Sequence, residues 1–272
     1  MSSIHVTALS IFPLKSAAGI ALDAAQVEPR GFRHDRRFMV VNAEGHFLTQ
    51  RELPRLALIG VSVSDESLQL KAPDMPLLVI CMPDNTDHHS GGKSLRVLIW
   101  GDHCDALALS PAADAWLSRF LGTPCRLVYM PDQSRRPIKP AYSTPGDHVS
   151  FADGFPFLIL SEESLADLNS RLPSPLPMNR FRPNIVVAGG GAFVEDGWRE
   201  IQIGEVAFRV VKPCARCTIP GVDQDTAVVT PKEPLLTLAG YRKQGHGVMF
   251  GQNAIADGLG TLRVGDRVLI KS

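Results

Sequence analysis

Two cysteines three positions apart, Cys214 and Cys217, are the residues of this chain whose types and spacing most readily do chemistry. Arg216 lies between them, Lys212 precedes them and Asp223 follows shortly afterwards. Positive charge lowers the pKa of a nearby thiol, and the thiolate is the form that binds metals and attacks electrophiles. The motif therefore predicts a reactive or metal-ligating cysteine, without deciding between the two chemistries.

A zinc site, a redox dithiol and a pair of inert thiols all stay open for these cysteines on the residues alone. A closed zinc site usually takes four ligands from two pairs, and of the five cysteines only this pair lies close in sequence. A redox dithiol normally begins a helix, whereas Pro220 and Gly221 follow too soon for a helix to start. Two inert cysteines in a turn are the simplest possibility.

Basic and amide side chains in three further segments are of the types that bind anions. Lys15 and Ser16 follow the first predicted strand, Arg36 lies in a basic turn, and Arg182 and Asn184 precede another predicted strand. Guanidinium groups make forked contacts to phosphate or carboxylate. A solvated loop with surface ion pairs is the commoner reason for any one such segment, so each is a weak signal by itself.

Composition limits the classes of protein to which the chain can belong. Its 272 residues suit one large or two closely joined domains. Lys plus Arg equals Asp plus Glu at 28 each, which argues against a nucleic-acid polymer as partner. We expect no signal peptide, and no apolar run reaches the roughly 18 residues that would span a membrane. The cysteine usage indicates a reducing, cytoplasmic compartment.

The elements that must position these residues are mostly strands in the first part of the chain. Regularly spaced short apolar segments predict an antiparallel barrel or sandwich. The polar stretch around His88 and His89 is predicted to be a loop. The predicted strands are residues 4–12, 21–27, 37–42, 46–50, 56–63, 67–71, 77–82, 95–100 and 104–109.

The second part of the chain adds helices. Ser110 should cap a helix that ends at Gly122, and Ser161 should cap one over residues 162–171. Thr230 begins a capping-box pattern that predicts a helix to about residue 241. Further strands are expected at residues 125–130, 185–187, 201–203 and 207–211, with a terminal hairpin over 261–270. We therefore predict a mainly β protein with a few helices (α+β).

We expect two domains, residues 1–125 and residues 126–272. The segment from residue 131 to residue 154 is rich in Pro, Ser, Asp and Arg and lacks periodicity. Such a segment is typical of a long loop near a domain boundary.

Taken together, these segments resemble the molybdenum cofactor sulfurase C-terminal (MOSC) family, in its two-part form. The resemblance implies an N-terminal β-barrel-like domain followed by a MOSC β-barrel domain. Each motif is modest, but their order and number along nearly the whole chain make the match specific. They are residues 12–16, 31–36, 49–56, 160–169, 181–185, 195–198, 214–217, 222–226, 233–235 and 250–252.

The resemblance implies a mononuclear molybdenum cofactor held by a pterin dithiolene and one protein cysteine. By position Cys217 matches the metal ligand and Cys214 does not. Soft thiolates suit such a centre. The remaining cofactor-binding positions implied are Lys15, Ser16 and Arg36 at the phosphate end, Arg182 and Asn184 on the pterin side, and Thr49, Arg51, Arg216 and Asp223. Ala227 departs from the family pattern, in which glycine is common, so the resemblance does not fix that loop.

The activity that the resemblance implies is reduction of small N-hydroxylated compounds, N–OH to N–H plus water. The chain ends at Ser272 without a four-cysteine cluster pattern, so we expect electrons from a separate protein, either a flavoprotein reductase or a ferredoxin-like protein. We expect a cytoplasmic monomer that contacts no membrane. The alternatives are a cofactor carrier or sulfur-relay protein with a persulfide on Cys217, and a non-catalytic zinc-binding interaction module.

Overall fold

The computed structural model of the protein describes residues 3–83 and 93–272, so the loop predicted around His88 and His89 lies outside the described residues. Strands dominate, as the sequence predicted. The three α-helices of the described residues are α1 (Pro111–Leu121), α2 (Glu162–Arg171) and α3 (Leu235–Ala239). None of the helices described is both long and apolar enough to cross a bilayer.

Nineteen strands form four sheets within the described ranges. They are β1 (His5–Ile11), β2 (Ile20–Leu22), β3 (Ala24–Glu28), β4 (Gly31–Phe32), β5 (Phe38–Val41), β6 (Gly60–Val63), β7 (Ser67–Lys71), β8 (Leu78–Cys81), β9 (Ser94–Ile99), β10 (Asp102–Ala108), β11 (Arg126–Tyr129), β12 (Phe157–Ser161), β13 (Ile185–Ala188), β14 (Glu200–Ile203), β15 (Val206–Ala215), β16 (Lys243–Gln244), β17 (Gly247–Ala256), β18 (Gly260–Arg263) and β19 (Val268–Ile270).

The largest sheet has nine strands, in the order β19-β14-β15-β17-β12-β13-β1-β2 with β16 paired to β17. The smaller sheets run β5-β11-β10-β9, β18-β3-β4 and β6-β7-β8. The first two strands of the chain therefore complete the sheet that the second half builds.

The pairing of β1 with β13 brings distant parts of the chain together. The two strands are antiparallel, with Leu9 opposite Ile185. The backbone amide of Ser10 donates to the carbonyl of Asn184 at 2.9 Å. The loop that follows β1 and the loop that precedes β13 consequently lie side by side, and these are two of the segments predicted to bind an anion.

Separate apolar cores support the large sheet and the N-terminal sheets. In the first, the ring of Phe157 meets the rings of Phe32 and Phe208 edge-on, at centroid distances of 5.0 and 5.2 Å. In the second, Leu117 and Phe120 of α1 pack among the N-terminal strands. Burying each such side chain stabilises the fold by about 1.5–3 kcal/mol, so the site rests on a well-packed frame.

The two longer helices form where the sequence predicts them. The Ser110 hydroxyl accepts the amide of Ala113, and Gly122 ends α1 with φ 71°. The Ser161 hydroxyl caps α2 in the same way. Each serine caps the helix that directly follows it, so the local sequence is enough to predict where α1 and α2 begin.

The helix predicted from Thr230 is wrong at its start. Thr230 donates its backbone amide to the carbonyl of Gly221 at 2.8 Å. This bond holds Thr230 in a loop that pairs with the residues following Cys217. The helix α3 begins only at Leu235, and Glu233 accepts the amide of Thr237 at 3.2 Å. A tertiary contact therefore replaces the capping box.

Four strand predictions also differ from the structure. The single strand predicted over residues 21–27 is two strands, β2 and β3. Residues 46–50 form only isolated bridges, His46 to Leu98 and Phe47 to Val41. Residues 54–58 form a 3-10 helix that begins at a proline, so β6 starts only at residue 60. The terminal hairpin is wrong because β18 pairs with β3 and β19 pairs with β14, which are partners far away in sequence.

Candidate active site

A single cleft gathers most of the predicted site residues. It holds about 780 Å³ of space, part of it open to solvent. Arg51 and Asp223 are not among the residues that line it. The predicted residues that do line it are Lys15, Ser16, Arg36, Thr49, Arg182, Asn184, Arg216 and Cys217.

The ammonium group of Lys15 is held at the cleft by two acceptors. Its Nζ donates to the carbonyl of Phe151 at 2.8 Å and to Oδ1 of Asp153 at 2.5 Å. Burial lowers the pKa of Lys15, although Asp153 favours the charged form. Burial works against ionisation of Asp153, yet the charge and hydrogen bond of Lys15 hold its pKa below the usual range. The half-exposed carboxylate therefore stays charged, and above neutral pH the lysine is the partner that loses its proton.

Arg36 is fixed by a buried carboxylate and an amide. Its Nη1 donates to Oδ2 of Asp35 at 2.6 Å and to Oδ1 of Asn184 at 2.9 Å. Asp35 also accepts the backbone amide of Phe12 at 2.8 Å. Burial raises the pKa of Asp35, and the charge of Arg36 opposes that shift. Because Asn184 also donates to the carbonyl of Ser10 at 3.2 Å, the amide ties the guanidinium to the paired strands.

The ring of Phe12 carries two guanidinium groups. The Cζ atom of Arg36 lies 4.4 Å from the ring centroid and that of Arg182 lies 4.1 Å from it. Burial, followed by the charge of Arg36, lowers the pKa of Arg182 to about 9. A bound anion would reverse that shift, because it favours the charged form. Cation–π contact explains how two like charges are kept close together.

Three cleft residues have backbone conformations that favour glycine. Ser16 has φ 68°, Arg36 has φ 48° and Arg182 has φ 56°. Non-glycine residues are uncommon in this left-handed region, and they cluster at ligand-binding sites, where the surrounding structure holds them. None of the three is a residue type that signals such a conformation in sequence.

The two cysteines differ in their surroundings although both line the cleft. Cys214 lies near the end of β15, and its Sγ accepts Nη1 of Arg216 at 3.2 Å. The Nη2 of Arg216 donates to the carbonyl of Phe181 at 2.9 Å. Cys217 is a free thiol beyond the strand. Arg216 is thus committed to Cys214 and to the Phe181 carbonyl.

Asp223, a predicted residue that does not line the cleft, stabilises loops beside it. Asp223 accepts Nη2 of Arg180 at 2.8 Å and the amide and hydroxyl of Thr226 at 2.9 Å. The Thr226 hydrogen bonds are the main reason that the pKa of Asp223 lies below its usual value. Ala227, in the same loop, has φ 58°. That value is in the region where glycine is favoured.

Arg51 packs beside the cleft. Its Cζ lies 4.6 Å from the ring of Trp100, and its Nη1 is buried with no hydrogen-bond partner. Thr49 lines the cleft and donates its hydroxyl to Oε2 of Glu52 at 2.6 Å. Across the described ranges, no set of three or more His, Cys, Asp or Glu side chains is placed to hold a metal ion.

Comparison with known proteins identifies the family of this chain. Residues 3–124 match the model of the MOSC N-terminal beta barrel domain, and residues 146–269 match that of the MOSC domain. The chain belongs to the MOSC family. The two-part resemblance and the mainly β fold predicted from the sequence are therefore confirmed.

Full-length relatives extend this MOSC assignment. Mitochondrial amidoxime-reducing component 1 of Mus musculus is 38% identical over 283 residues, which cover 97% of this chain and 82% of that protein. The Homo sapiens component 1 is 37% identical over 285 residues, with the same coverages. Mitochondrial amidoxime reducing component 2 of Bos taurus is 36% identical over 280 residues, again with the same coverages.

Sequence reasoning missed an amide pair that connects the two MOSC halves. Gln50 donates to Oε1 of Gln224 at 3.0 Å, and Gln224 donates back to Oε1 of Gln50 at 3.1 Å. Gln50 is fully buried and also donates to the carbonyl of Ser16 at 2.7 Å, while Arg182 donates to Gln224 at 3.3 Å. The pair couples the loop of Ser16 and the side chain of Arg182 to the loop after Cys217. No local signal could reveal it, because the partners lie 174 residues apart.

Proposed function

We propose that this protein is a molybdenum-cofactor-dependent reductase of N-hydroxylated compounds. Two electrons and two protons convert N–OH to N–H and water, with the electrons delivered by a separate redox protein. The proposal is carried by the similarity to amidoxime-reducing components over 97% of the chain. The cleft supports it, because the free thiol of Cys217 lies in the same cleft as cationic side chains from both halves.

The residues of the cleft fit such a cofactor in charge and in hydrogen-bonding capacity. Asp153 is the one carboxylate that lines the cleft within the described ranges. The Nε of Arg216 is a buried donor without a partner, which is costly unless a ligand accepts from it. An anionic group with polar edges would satisfy both this donor and the positive charge of the cleft. The opposing cationic side chains are Lys15, Arg36, Arg182 and Arg216.

Each part of the cleft would hold a different part of the cofactor. Lys15, Ser16 and Arg36 would bind its phosphate end, and Arg182 and Asn184 would contact its pterin side. Cys217 would provide the protein thiolate to the metal, since a soft ligand suits that centre. The bound cofactor supplies the two-electron chemistry.

The contribution of the chain itself is orientation and charge. Asp35 and Asn184 hold Arg36 in one position, and the Phe12 ring limits the motion of Arg36 and Arg182. Side chains fixed in this way need little reorganisation on binding. We also propose that the protein is a cytoplasmic monomer, and the free state of all five cysteines supports a reducing compartment.

The test is metal and pterin analysis of the protein purified from a host that makes the cofactor. We expect one molybdenum per chain, reduction of benzamidoxime with an artificial electron donor, and loss of both in Cys217→Ser. Cys81→Ser, at an exposed cysteine of β8, is the matched control. Full molybdenum and activity in Cys217→Ser would contradict the proposal. Cyanolysable sulfur on metal-free protein that reduces nothing would favour the sulfur-relay alternative.

A further inference from the structure

A second pocket opens beside the cleft. It holds about 1080 Å³, part of it open to solvent, so it has room for a molecule larger than the cleft alone would take. The two cavities lie side by side, because six residues line both of them. These shared residues are Asp153, Gly154, Phe155, Cys214, Ala215 and Asn253.

Aromatic rings line this second pocket, which we call the aromatic pocket after Trp100, Tyr142 and Phe155. Tyr142 and Phe155 meet edge-on at a centroid distance of 5.8 Å. Trp100 is 53% exposed and has φ 56°. Such a backbone conformation is uncommon for a residue with a side chain, and residues of this kind cluster at ligand-binding sites. Aromatic rings of this kind stack with planar ligands.

The charges of the aromatic pocket are unbalanced. Its carboxylates have partners: Asp102 accepts Nη2 of Arg136 at 3.0 Å, and Asp153 accepts Lys15. Lys139 and Lys212 also line the pocket, and within the described ranges neither is paired with a carboxylate. The charges that remain available are therefore positive.

One of these lysines is held against an aromatic wall. The Nζ of Lys212 lies 4.9 Å from the centroid of the Tyr142 ring. An anionic group on a ligand that stacks with the pocket rings would consequently meet an ammonium group at close range.

We propose that the aromatic pocket binds the body of the N-hydroxylated substrate, and that it prefers a planar aromatic body carrying a carboxylate or phosphate group. Because six residues line both cavities, a body bound in the aromatic pocket would direct its N–OH group towards the cleft beside Cys214 and Cys217. This inference rests on the proposed function and adds the substrate class to it.

Two probes of nearly the same shape test the preference. Benzamidoxime is neutral, and 4-carboxybenzamidoxime adds one negative charge. With the molybdenum-loaded enzyme and an artificial electron donor, we expect Lys139→Gln combined with Lys212→Gln to raise KM for the carboxylated probe about tenfold, equivalent to about 1.4 kcal/mol. KM for benzamidoxime should change by less than about twofold, because no charge meets the lysines.

The matched control is Lys71→Gln, at an exposed lysine of β7 that lines neither cavity. It should leave both KM values unchanged. High salt should reduce the preference of the wild-type enzyme for the carboxylated probe, since partly exposed charges are screened. Equal changes for both probes in the double variant, or no change for either, would overturn the proposal.

Binding can also be measured without turnover. Trp116 and Trp198 are buried, so Trp100 is the tryptophan that a ligand in the aromatic pocket would contact. We expect 4-carboxybenzamidoxime to quench the fluorescence of the wild-type enzyme and not that of Trp100→Phe. Quenching without reduction of either probe would support the pocket and contradict the proposed function. Reduction of benzamidoxime with no Trp100-dependent quenching would overturn the pocket and leave the proposed function standing.

Discussion

The cleft has two sides that are built differently. On the cation side, formed by Lys15, Arg36 and Arg182, charged groups are fixed by buried acceptors, by the Phe12 ring and by left-handed backbone. On the thiol side, residues 214–217, the cysteines are half-buried at the end of a strand. The cation side is therefore part of the folded frame, whereas the thiol side depends much less on the core.

This difference separates stability from binding. A substitution on the cation side should weaken both the fold and the retention of an anionic ligand, because the removed charge leaves buried partners behind. A substitution on the thiol side should change ligand binding with little effect on the fold. Measuring both quantities for each variant tests the distinction.

The largest effect on stability is expected for Arg36→Met. Removing the guanidinium leaves the buried carboxylate of Asp35 without its charged partner, which should lower the free energy of unfolding by about 3–5 kcal/mol at pH 8. The loss should shrink towards pH 5, because burial raises the pKa of Asp35 and a protonated carboxyl carries no unpaired charge. Urea unfolding of the wild type and the variant at pH 8 and pH 5 measures the loss of unfolding free energy and its decrease with pH.

Asp35→Asn combined with Arg36→Met is the control for that experiment. The neutral amide removes the uncompensated charge, so the double variant should be more stable than Arg36→Met at pH 8. A loss below about 0.5 kcal/mol for the single variant, the range of ordinary surface changes, would contradict the distinction between the two sides.

An intermediate effect is expected from pH on anion binding at the cation side. Burial lowers the pKa of Lys15, and that of Arg182 lies at about 9. A lowered pKa in the folded state means that protons leave below the usual pH, so the affinity for an anion falls as the pH rises. We expect sulfate, whose charge is constant, to bind cofactor-free protein about tenfold more weakly at pH 9.5 than at pH 7.5, which is about 1.4 kcal/mol.

The shift in melting temperature with sulfate concentration measures that affinity. Sodium chloride at equal ionic strength is the reference for screening. Lys15→Arg should give a flatter pH profile, since a guanidinium keeps its proton more firmly than an ammonium group. An affinity of the wild-type protein that does not change with pH would contradict the assigned role of these two groups.

Locally encoded features of the fold could be predicted from the sequence. Ser110, Gly122 and Ser161 mark the ends of α1 and α2, because a cap acts on its own helix. The failures depend on contacts made outside the helix or strand itself. Thr230 is drawn into a loop contact with Gly221, nine residues earlier, which the capping-box pattern does not reveal. The strand β18 finds its partner β3 at the other end of the chain, and a partner so distant leaves no local pattern.

The candidate site shows the same limit. Lys15 and Cys217 have no pattern in common, so only the family resemblance could predict that they line one cleft. The groups that hold the cleft together were missed, namely Asp35 beneath Arg36 and the Gln50–Gln224 pair. Their roles arise from burial and from reciprocal geometry, which composition and spacing do not encode.

The smallest effect is expected for Cys214→Ser, and it separates the two cysteines. Serine keeps an acceptor for Nη1 of Arg216, which now bonds Sγ of Cys214 at 3.2 Å. The free energy of unfolding should therefore change by less than about 1 kcal/mol, and molybdenum content should stay near that of the wild type. Cys217→Ser should be equally stable but lose the metal, since changes around a ligand already cost about 10–100-fold in affinity and this one removes the ligand itself. Metal analysis and urea unfolding of the two variants side by side measure the metal content and the free energy of unfolding. Equal metal loss in both variants would mean that both cysteines are needed to hold the metal.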